Sequence, residues 1–555
     1  MSPLSLQAGG DLYARMGRLE RELPGYDTAC ARSHRKRSNT LNLALARAFA
    51  LISLITALGG CTTVGPNFVK PEVEVNTEWT AQEKSQLDTA KAADAAWWRV
   101  FNDHTLNTLI DQARQQNLTV RTAGLRIAES RAQLALAVGM KWPQVQTVFG
   151  QATAVRISGS AANVASIDRS YAEYQAGFDV SWELDFWGRY QNMQRAEAAR
   201  YFATIADYDN ALVTLCAEVA RTYVLIRAFE TRIALAEKNV RLQQEGYRIA
   251  EARFRYGATP ELDVAQAKTL LESTMESIPR YQLGLLQARN ALSTLLGQPP
   301  GKVQQLLGPP RGIPVAPTTT AIGMPAELLR RRPDIRSAEF AALEQSARVG
   351  VATADLYPRI SLVGTIGILT DGGGIDRGSS FWSYGPSISL PIFDYDRRKN
   401  SIRIEDARLQ QLLVNYEAVV LRAQQEAEDG AIGFVKSHQI ATFAQNATTS
   451  AQRSSDLAFV QYREGAVDFQ RVIDSMRALL QEEIRFADAQ SDIATNLISL
   501  YKALGGGWEL HKDQPFIPQK TRVEMENRTD WGDLLSKPPA PATLKTQSRE
   551  EKHDD

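Results

Sequence analysis

Polar and apolar residues alternate strictly along the segment from Ala172 to Phe186. A period of two places successive side chains on opposite faces of a strand, so this segment is predicted to be a strand with one apolar and one polar face. The same alternation recurs from Trp382 to Ile392. The strands predicted on this basis cover about 144–157, 171–185, 359–370 and 381–392.

A second pattern, with apolar residues three or four positions apart, runs from Tyr208 to Phe254. This spacing is typical of a sustained coiled-coil seam. A single helix over about 189–256 would be roughly 100 Å long at 1.5 Å per residue. The alternative that this pattern leaves open is a plain rod-like coiled coil.

The second half of the chain repeats the first. Four pairs of motifs recur at a constant offset of 208 residues. The aligned residues are Gly257 and Gly465, Gly297 and Gly505, Ser181 and Ser389, and Ala199 and Ala407. Agreement at one offset predicts a tandem duplication. Each repeat is expected to contain a helix, two strands, a very long helix and a further helix.

The duplication suggests six segments. They are a signal peptide with an upstream extension (1–60), a lipidated N-terminal segment (61–96), the first repeat (97–297), a linker rich in Pro and Gly (298–325), the second repeat (326–507) and a C-terminal tail (508–555). The tail is charged and contains proline, so we expect it to be loosely ordered after about Pro515.

The N-terminus has the features of an export signal. Arg35, Lys36 and Arg37 precede an apolar stretch that ends in Leu58-Gly59-Gly60-Cys61. This order is typical of a signal peptide, and its end resembles a bacterial lipobox, which implies lipidation of Cys61. Thr62 stands where an inner-membrane retention signal would have Asp, so the resemblance implies the outer membrane. A translation start at Met16 remains an alternative.

Composition excludes several classes of protein. The chain has 63 basic and 63 acidic residues, so it lacks the basic excess that nucleic-acid binding requires. Its three cysteines and five histidines form no disulfide framework and no metal-ligand spacing. We expect Cys216 to be a small buried hydrophobe. Motifs for common nucleophiles, metalloproteases and phosphate-binding loops are absent, which predicts no enzyme, no cofactor and no metal.

Four strands cannot close a membrane barrel within one chain. No run of eighteen apolar residues follows residue 61, so a membrane crossing would require a closed barrel. The alternation alone would favour a soluble sandwich, but the lipobox and the long helices favour an outer-membrane barrel. Several copies must then share the barrel, and three would supply twelve strands.

Two motifs resemble one family. The start Cys-Thr-Thr-Val-Gly-Pro-Asn-Phe at 61–68 and the segment Leu-Leu-Arg-Arg-Arg-Pro-Asp-Ile at 328–335 are similar to the OprM and NodT lipoprotein subgroup of the TolC-like outer-membrane factors. The resemblance implies an α+β membrane protein, a homotrimer with a twelve-stranded barrel and a coiled-coil periplasmic tunnel. It also implies a passive exit duct in a tripartite efflux system, with a periplasmic membrane-fusion adaptor and an inner-membrane pump, expected to be of the RND type, as partners.

The resemblance also assigns roles to residues. It places Asp474 in an acidic ring at the periplasmic gate and Arg477 at the neighbouring basic position. Arg471 stands one turn earlier, where the family often has a second acidic residue. The turns at Gly257 and Gly465 are expected to be the tips that contact the adaptor. Alternatives are a duct for type I protein secretion and a structural envelope lipoprotein; the two motifs above favour efflux.

Overall fold

The computed structural model describes residues 62–76, 79, 87–88, 95–160, 169–321, 331–371, 379–511 and 514–535. From Thr63 onward the chain forms one compact unit. Met1–Thr62 form a separate unit, of which only Thr62 is described. Cys61 therefore lies outside the described residues.

The first repeat begins after the short strand β1 (Leu87–Asp88) and a 3₁₀ turn at Trp97–Phe101. Its elements are α1 (His104–Gln116), α2 (Leu118–Gly139), β2 (Val145–Arg156), β3 (Ser170–Glu183), α3 (Arg189–Arg255) and α4 (Glu261–Leu295). The long helix α3 has 67 residues, which corresponds to about 100 Å.

The predicted linker contains two short elements, α5 (Val303–Leu307) and β4 (Thr320–Ala321). Strand β4 pairs in parallel with β1, with Leu87 opposite Thr320. Arg227 of α3 is fully buried and donates hydrogen bonds to the carbonyl oxygens of Leu307 and Pro309. These contacts fix the linker against the long helix.

The second repeat has the same order of elements as the first. It consists of α6 (Pro333–Ala354), β5 (Arg359–Thr370), β6 (Ser380–Ser389), α7 (Arg397–Arg463) and α8 (Phe469–Ala503). Its long helix α7 has 67 residues, as many as α3. The predicted duplication is thus confirmed in the architecture.

The four long strands form one antiparallel sheet in the order β2-β3-β5-β6. Register aligns apolar residues in a row across one face: Val148, Phe178, Ile366 and Trp382. Each of these side chains is exposed. On the opposite face, Phe149 and Phe381 cover the glycines Gly177 and Gly367 of the central strands.

Shorter helices stack end to end to match the length of α3 and α7. The N-cap residue of α2, Asn117, donates a hydrogen bond from Nδ2 to the carbonyl oxygen of Leu295, the last residue of α4. In the second repeat, Arg332 precedes α6 and donates from Nη1 to the carbonyl oxygen of Ala503. Each junction thereby satisfies a carbonyl that a helix end leaves unpaired.

The helices lie side by side in two tiers. In the tier next to the sheet the packing order is α2-α3-α6-α7, and in the other tier it is α4-α3-α8-α7. Helix α7 is therefore at one edge of both tiers, whereas α2 and α4 form the opposite edge. A core that includes Trp97, Trp98 and Tyr223 packs where the tiers meet.

The N-terminal and C-terminal segments of the unit pack on equivalent places in the two repeats. Val73 and Val75 of the N-terminal segment pack against a cluster around Tyr416 in the second repeat. The segment after Gln514 packs on the first repeat, where Phe516 contacts Tyr208 with ring centroids 5.1 Å apart. Tyr208 and Tyr416 are related by the offset of 208 residues.

The C-terminal segment corrects an expectation from composition. Residues 514–535 contain a helix, α9 (Gln519–Glu526), and Ile517 and Met525 are buried against Ala128. Arg131 donates a hydrogen bond to the carbonyl oxygen of Leu534. The expected loose order after Pro515 is thus wrong for this part of the tail, because apolar residues among the charges supply an anchor. Across the described ranges, no helix combines the length and the apolar character needed to cross a membrane.

Candidate functional site

The two long helices end in matching turns at the same end of the unit. Gly257 and Gly465 both adopt positive φ, 75° and 78°, a backbone conformation that glycine tolerates best. In each turn the glycine N–H donates to a carbonyl three residues earlier and the next N–H to one five residues earlier. The predicted tips are therefore exposed reverse turns of one geometry.

Arg253 connects the two turns, a contact that the sequence pattern did not predict. Its guanidinium lies 4.7 Å from the centre of the Tyr462 ring, and Nη1 donates to the carbonyl oxygen of Tyr462. A cation at the C-terminal end of α7 is favourable because the helix dipole is negative there. Asp263 lies nearby, and burial raises the pKa of its carboxyl, with Asp468 adding to the rise and Arg253 opposing it.

A small apolar cluster supports the turns from inside. It comprises Ala250, Ala267, Leu270, Tyr462, Phe469, Val472, Ile473 and Met476. The members come from α3, α4, α7 and α8, so all four helices meet at this end. The cluster fixes which face of α8 points outward.

The predicted gate residues lie on that outward face. Asp474 and Arg477 are exposed, as are Gln470 and Arg471. Asp474 accepts a hydrogen bond of 2.9 Å on Oδ1 from Gln470 Nε2 of its own helix. Within the described part of the chain, Asp474 forms no salt bridge with Arg471 or Arg477. The structure thus brings the predicted pair to one face without joining them.

A buried polar layer lies between α3 and α8, further from the two turns than the apolar cluster. Glu483 accepts hydrogen bonds of 2.6 Å from Lys238 Nζ and from Asn239 Nδ2. Gln243 is buried one turn along α3, and its side-chain polar atoms have no hydrogen-bond partner among the described residues. Asp492 lies nine residues further along α8, where desolvation raises the pKa of its carboxyl, with Asp488 adding to the rise and Arg232 opposing it. Sequence periodicity gave no signal for this layer, because a carboxylate at position 483 is compatible with an exposed helix face.

Cysteine chemistry plays no part in the turns, the predicted gate face or the buried polar layer described above. Cys216 is fully buried, and burial raises the pKa of its thiol to about 12, so the expected role as a small hydrophobe fits its surroundings. Within the described ranges, no group of three His, Cys, Asp or Glu side chains is arranged to hold a metal ion. The lipidation predicted at Cys61 remains a prediction.

The order of elements and both repeats match a known family. The outer membrane efflux protein family aligns with residues 109–298 and 324–506, which is one match for each repeat. The chain belongs to this family. It therefore functions in efflux at the outer membrane, in a family of channels and not of enzymes.

Individual relatives cover nearly the same region. The cation efflux system protein CusC of Escherichia coli strain CFT073 is 31% identical over 459 residues, which are 82% of this chain and 97% of the relative. The probable outer membrane lipoprotein SilC of Salmonella typhimurium is 28% identical over 466 residues, 82% of this chain and 98% of the relative.

Solved structures of outer-membrane channels share the fold. The channel OprN superposes with a TM-score of 0.76 at 32% sequence identity and covers 80% of this chain and 99% of its own. The predicted fold class and the predicted efflux function are confirmed by these similarities. The family match ends at residue 506, so the ordered segment 514–535 lies outside it.

Proposed function

We propose that this outer membrane efflux protein works as a ring of three copies that forms a passive exit duct. The duct receives small molecules from an inner-membrane pump of the RND type through a periplasmic adaptor. The observation that carries the proposal is that the sheet and both helical tiers leave unpaired edges on the same two sides of the chain.

One side of the chain consists of β2, α2 and α4, and the other consists of β6 and α7. Exposed apolar residues follow both edges. They are Leu118, Leu125, Leu136, Leu262, Met275, Leu283 and Leu286 on one side, and Val414, Leu421, Ile432, Ile440, Phe443, Leu457 and Val460 on the other. Apolar rows of this extent mark surfaces that bind another protein.

If the edge on one side of a copy contacts the opposite edge of the next copy, the contact is head to tail. Such contacts close into a ring when the rotation between copies permits it. A sheet edge exposed to lipid would leave backbone groups without hydrogen bonds, which costs several kcal/mol per group. A ring removes both edges. Four strands per copy then give a twelve-stranded barrel with three copies, in which the row through Phe178 and Ile366 faces lipid.

The remaining assignments follow from this arrangement. The turns at Gly257 and Gly465 project from the end remote from the sheet and suit contact with the adaptor. Asp474 and Arg477, on the outward face of α8, suit a gate near the axis. Acyl chains on Cys61 would anchor the ring in the outer membrane, where each buried CH₂ contributes about 0.8 kcal/mol.

The first experiment is a susceptibility panel on a deletion strain, with antibiotics, dyes, organic solvents and metal ions. Sensitisation that the wild-type gene reverses would support the efflux duct and identify the class of exported compound. Purified protein in a planar bilayer provides the second measurement. A protein that is monomeric by mass and conducts no ions would exclude the duct and favour a structural lipoprotein.

A further inference from the structure

The two repeats meet at a defined junction within the chain. Strand β3 pairs with β5, and the Trp187 ring that follows β3 stacks on Tyr357, which precedes β5, with centroids 4.6 Å apart. Trp187 Nε1 also donates a hydrogen bond of 2.9 Å to the carbonyl oxygen of Pro358. The end of one hairpin is thereby fixed against the start of the next.

The duplication supplies a second set of the same parts at the outer edges. An offset of 208 residues takes Trp187 to Tyr395, just after β6. Helices α2 and α6 start at Leu118 and Pro333, an offset of 215 residues that takes Trp142 to Tyr357 and Pro143 to Pro358. An aromatic residue thus stands on both sides of the outer junction, as on both sides of the inner one.

Within one chain these outer aromatics have no cover. Tyr395 is 100% exposed and Trp142 is 67% exposed, whereas the equivalent Trp187 and Tyr357 are half-buried in their stack. Residues 386–393, in the second half of β6 and just after it, are all exposed. Their equivalents at 178–185, which lie beside β5, are half-buried except for Phe178. A second copy of this chain would supply the missing cover, because its outer edges carry the parts that meet at the inner junction.

We infer that Tyr395 of one copy stacks on Trp142 of the neighbouring copy, and that β6 pairs with the neighbour's β2 in the register that places Ile388 opposite Gly150. The inference rests on the ring proposed above and adds its residue-level register. The register follows from the inner junction, where Val180 lies opposite Gly364. The offset is 208 residues from β3 to β6 and 214 from β2 to β5, one fewer than for the helices, because Val145 pairs with Ser181 and Arg359 pairs with Ser389. These offsets turn the inner pair into Ile388 opposite Gly150.

Backbone hydrogen bonds agree with this register. In the pairing of β2 with β3, the β2 residues that form backbone hydrogen bonds to β3 have odd numbers. The bond from the Ile157 N–H to the carbonyl oxygen of Arg169 shows this. In the pairing of β5 with β6, the bonded positions of β6 are also odd, as shown by Leu369 N–H to Ser379. Even positions of both outer strands therefore point their N–H and C=O groups to the free edges.

The same positions also share a face. Val148 of β2 and Ile388 of β6 belong to the exposed apolar face with the even positions of the central strands. If the register slipped by one residue, even positions of one strand would lie opposite odd positions of the other. Their backbone groups would then not face each other, and apolar side chains of one strand would lie on the polar face of its neighbour. The register of Ile388 with Gly150 meets both conditions.

A charge pair on the helices supports the same arrangement. Arg336 of α6 lies 3.7 Å from Asp209 of α3 at the inner junction. The equivalent residues on the outer edges are Arg121 of α2 and Glu417 of α7, so the signs of both charges are preserved. Arg121 also donates to Thr521 of the C-terminal segment, and Glu417 is exposed. The outer pair would meet only between two copies.

Paired cysteines test the register. Ser387 and Gln151 would lie opposite each other at a non-hydrogen-bonded position, where Cα atoms are about 4.5 Å apart, within the range for a disulfide. Ser387→Cys combined with Gln151→Cys is expected to give a covalent trimer on a non-reducing gel after mild oxidation. The matched control combines Ser387→Cys with Thr153→Cys, whose Cα atoms would be about 7–8 Å apart, and should remain monomeric on the gel.

The outcomes separate this inference from the ring itself. Each variant is first measured for mass in detergent. A trimer that crosslinks through Thr153→Cys, or through neither pair, would overturn the register and leave the ring intact. A monomer by mass for the wild type would refute the ring. Cys216 does not interfere, because its thiol is fully buried.

Tyr395→Ala provides an independent arm, with Tyr395→Trp as the conservative variant and Tyr171→Ala as the control, since Tyr171 is an exposed tyrosine of the central strand β3. Loss of the stack should lower the temperature at which the trimer dissociates, and Tyr395→Trp should restore it. Equal dissociation temperatures for Tyr395→Ala and the wild type would contradict the proposed stack.

Discussion

Arg332 Nη1 donates a hydrogen bond of 2.7 Å to the carbonyl oxygen of Ala503, the last residue of α8. The same guanidinium binds both carboxylate oxygens of Asp334 and one of Glu426. Arg332 is 7% exposed, and its pKa is raised by these hydrogen bonds although burial opposes the rise. The motif Arg-Pro-Asp thus joins the end of α8 to the start of α6 and to α7.

Replacing this arginine should weaken the junction. We expect Arg332→Met to lower the free energy of unfolding by about 2–3 kcal/mol, because a helix-end carbonyl and two carboxylates lose a charged donor. Chemical denaturation followed by circular dichroism measures the change. Arg331→Met is the matched control, since Arg331 is exposed in the same motif. Equal effects of the two substitutions would contradict the role assigned to Arg332.

Periodicity predicted the long elements closely, because each depends on a local pattern. The helix expected over 189–256 is observed at Arg189–Arg255. The one helix expected at the start of the first repeat is instead a 3₁₀ turn and two helices that break at Asn117. Asn117 has extended backbone angles and caps α2 through its side chain. Its second hydrogen bond goes to Leu295, a partner 178 residues away, which a local pattern cannot reveal.

The gate assignment came from resemblance, since an exposed carboxylate on a helix has no periodicity of its own. The sequence placed Asp474 and Arg477 correctly on one helix, but it did not show that Gln470 is the hydrogen-bond partner of Asp474. Arg253 and Glu483 were missed because their partners lie more than 200 residues away along the chain. Such contacts depend on which helices become neighbours.

Close packing at the centre of the sheet yields a second prediction. A Cβ at Gly367 would lie 2.6 Å from the carbonyl oxygen of Ala176 and 2.8 Å from the Phe381 ring. Gly367→Ala should therefore lower the free energy of unfolding by about 1–3 kcal/mol. Thermal unfolding measures the change, and Gly385→Ala is the control because no atom lies within 4 Å of its Cβ position. A larger effect at Gly385 would refute this packing argument.

His438 on α7 predicts a dependence on pH. Burial lowers the pKa of its imidazole from 6.5, and the Pro317 backbone opposes this shift. The folded protein thus binds this proton less readily than the unfolded chain. The contribution to stability is present above the unfolded pKa and is lost as pH falls through the folded pKa. Thermal midpoints measured from pH 7.5, about one unit above 6.5, to pH 5, about one and a half units below it, should show this loss for the wild type.

The variant His438→Gln should lack this part of the pH dependence. In the wild type the His438 and Phe434 rings pack edge to face, with centroids 4.8 Å apart. The substitution removes this contact and therefore also lowers stability by an amount that does not vary with pH. His104→Gln serves as the control because His104 is exposed. A difference between wild type and His438→Gln that stays constant from pH 7.5 to pH 5 would exclude His438 as the titrating group.

Asp474 provides the prediction that bears directly on transport. In the proposed ring, three Asp474 carboxylates would approach the axis, where they attract cations and where basic partners from neighbouring copies would hold the tunnel closed. Within the chain, Asp474 accepts only the hydrogen bond from Gln470 among its described polar contacts, so its charge is available to such partners. Asp474→Ala should therefore raise single-channel conductance in a planar bilayer and reduce the preference for cations.

The chain contains a matched control for this experiment. Gln452 donates a hydrogen bond of 2.9 Å to Asp456 on α7 with the same spacing of four residues, and both carboxylates are exposed. Asp456→Ala removes an equivalent carboxylate from a position outside the proposed gate, so conductance and selectivity should not change. If both substitutions alter conductance equally, the change arises from surface charge in general and not from the position of Asp474. If neither does, the constriction depends on other residues and the gate role of Asp474 is wrong.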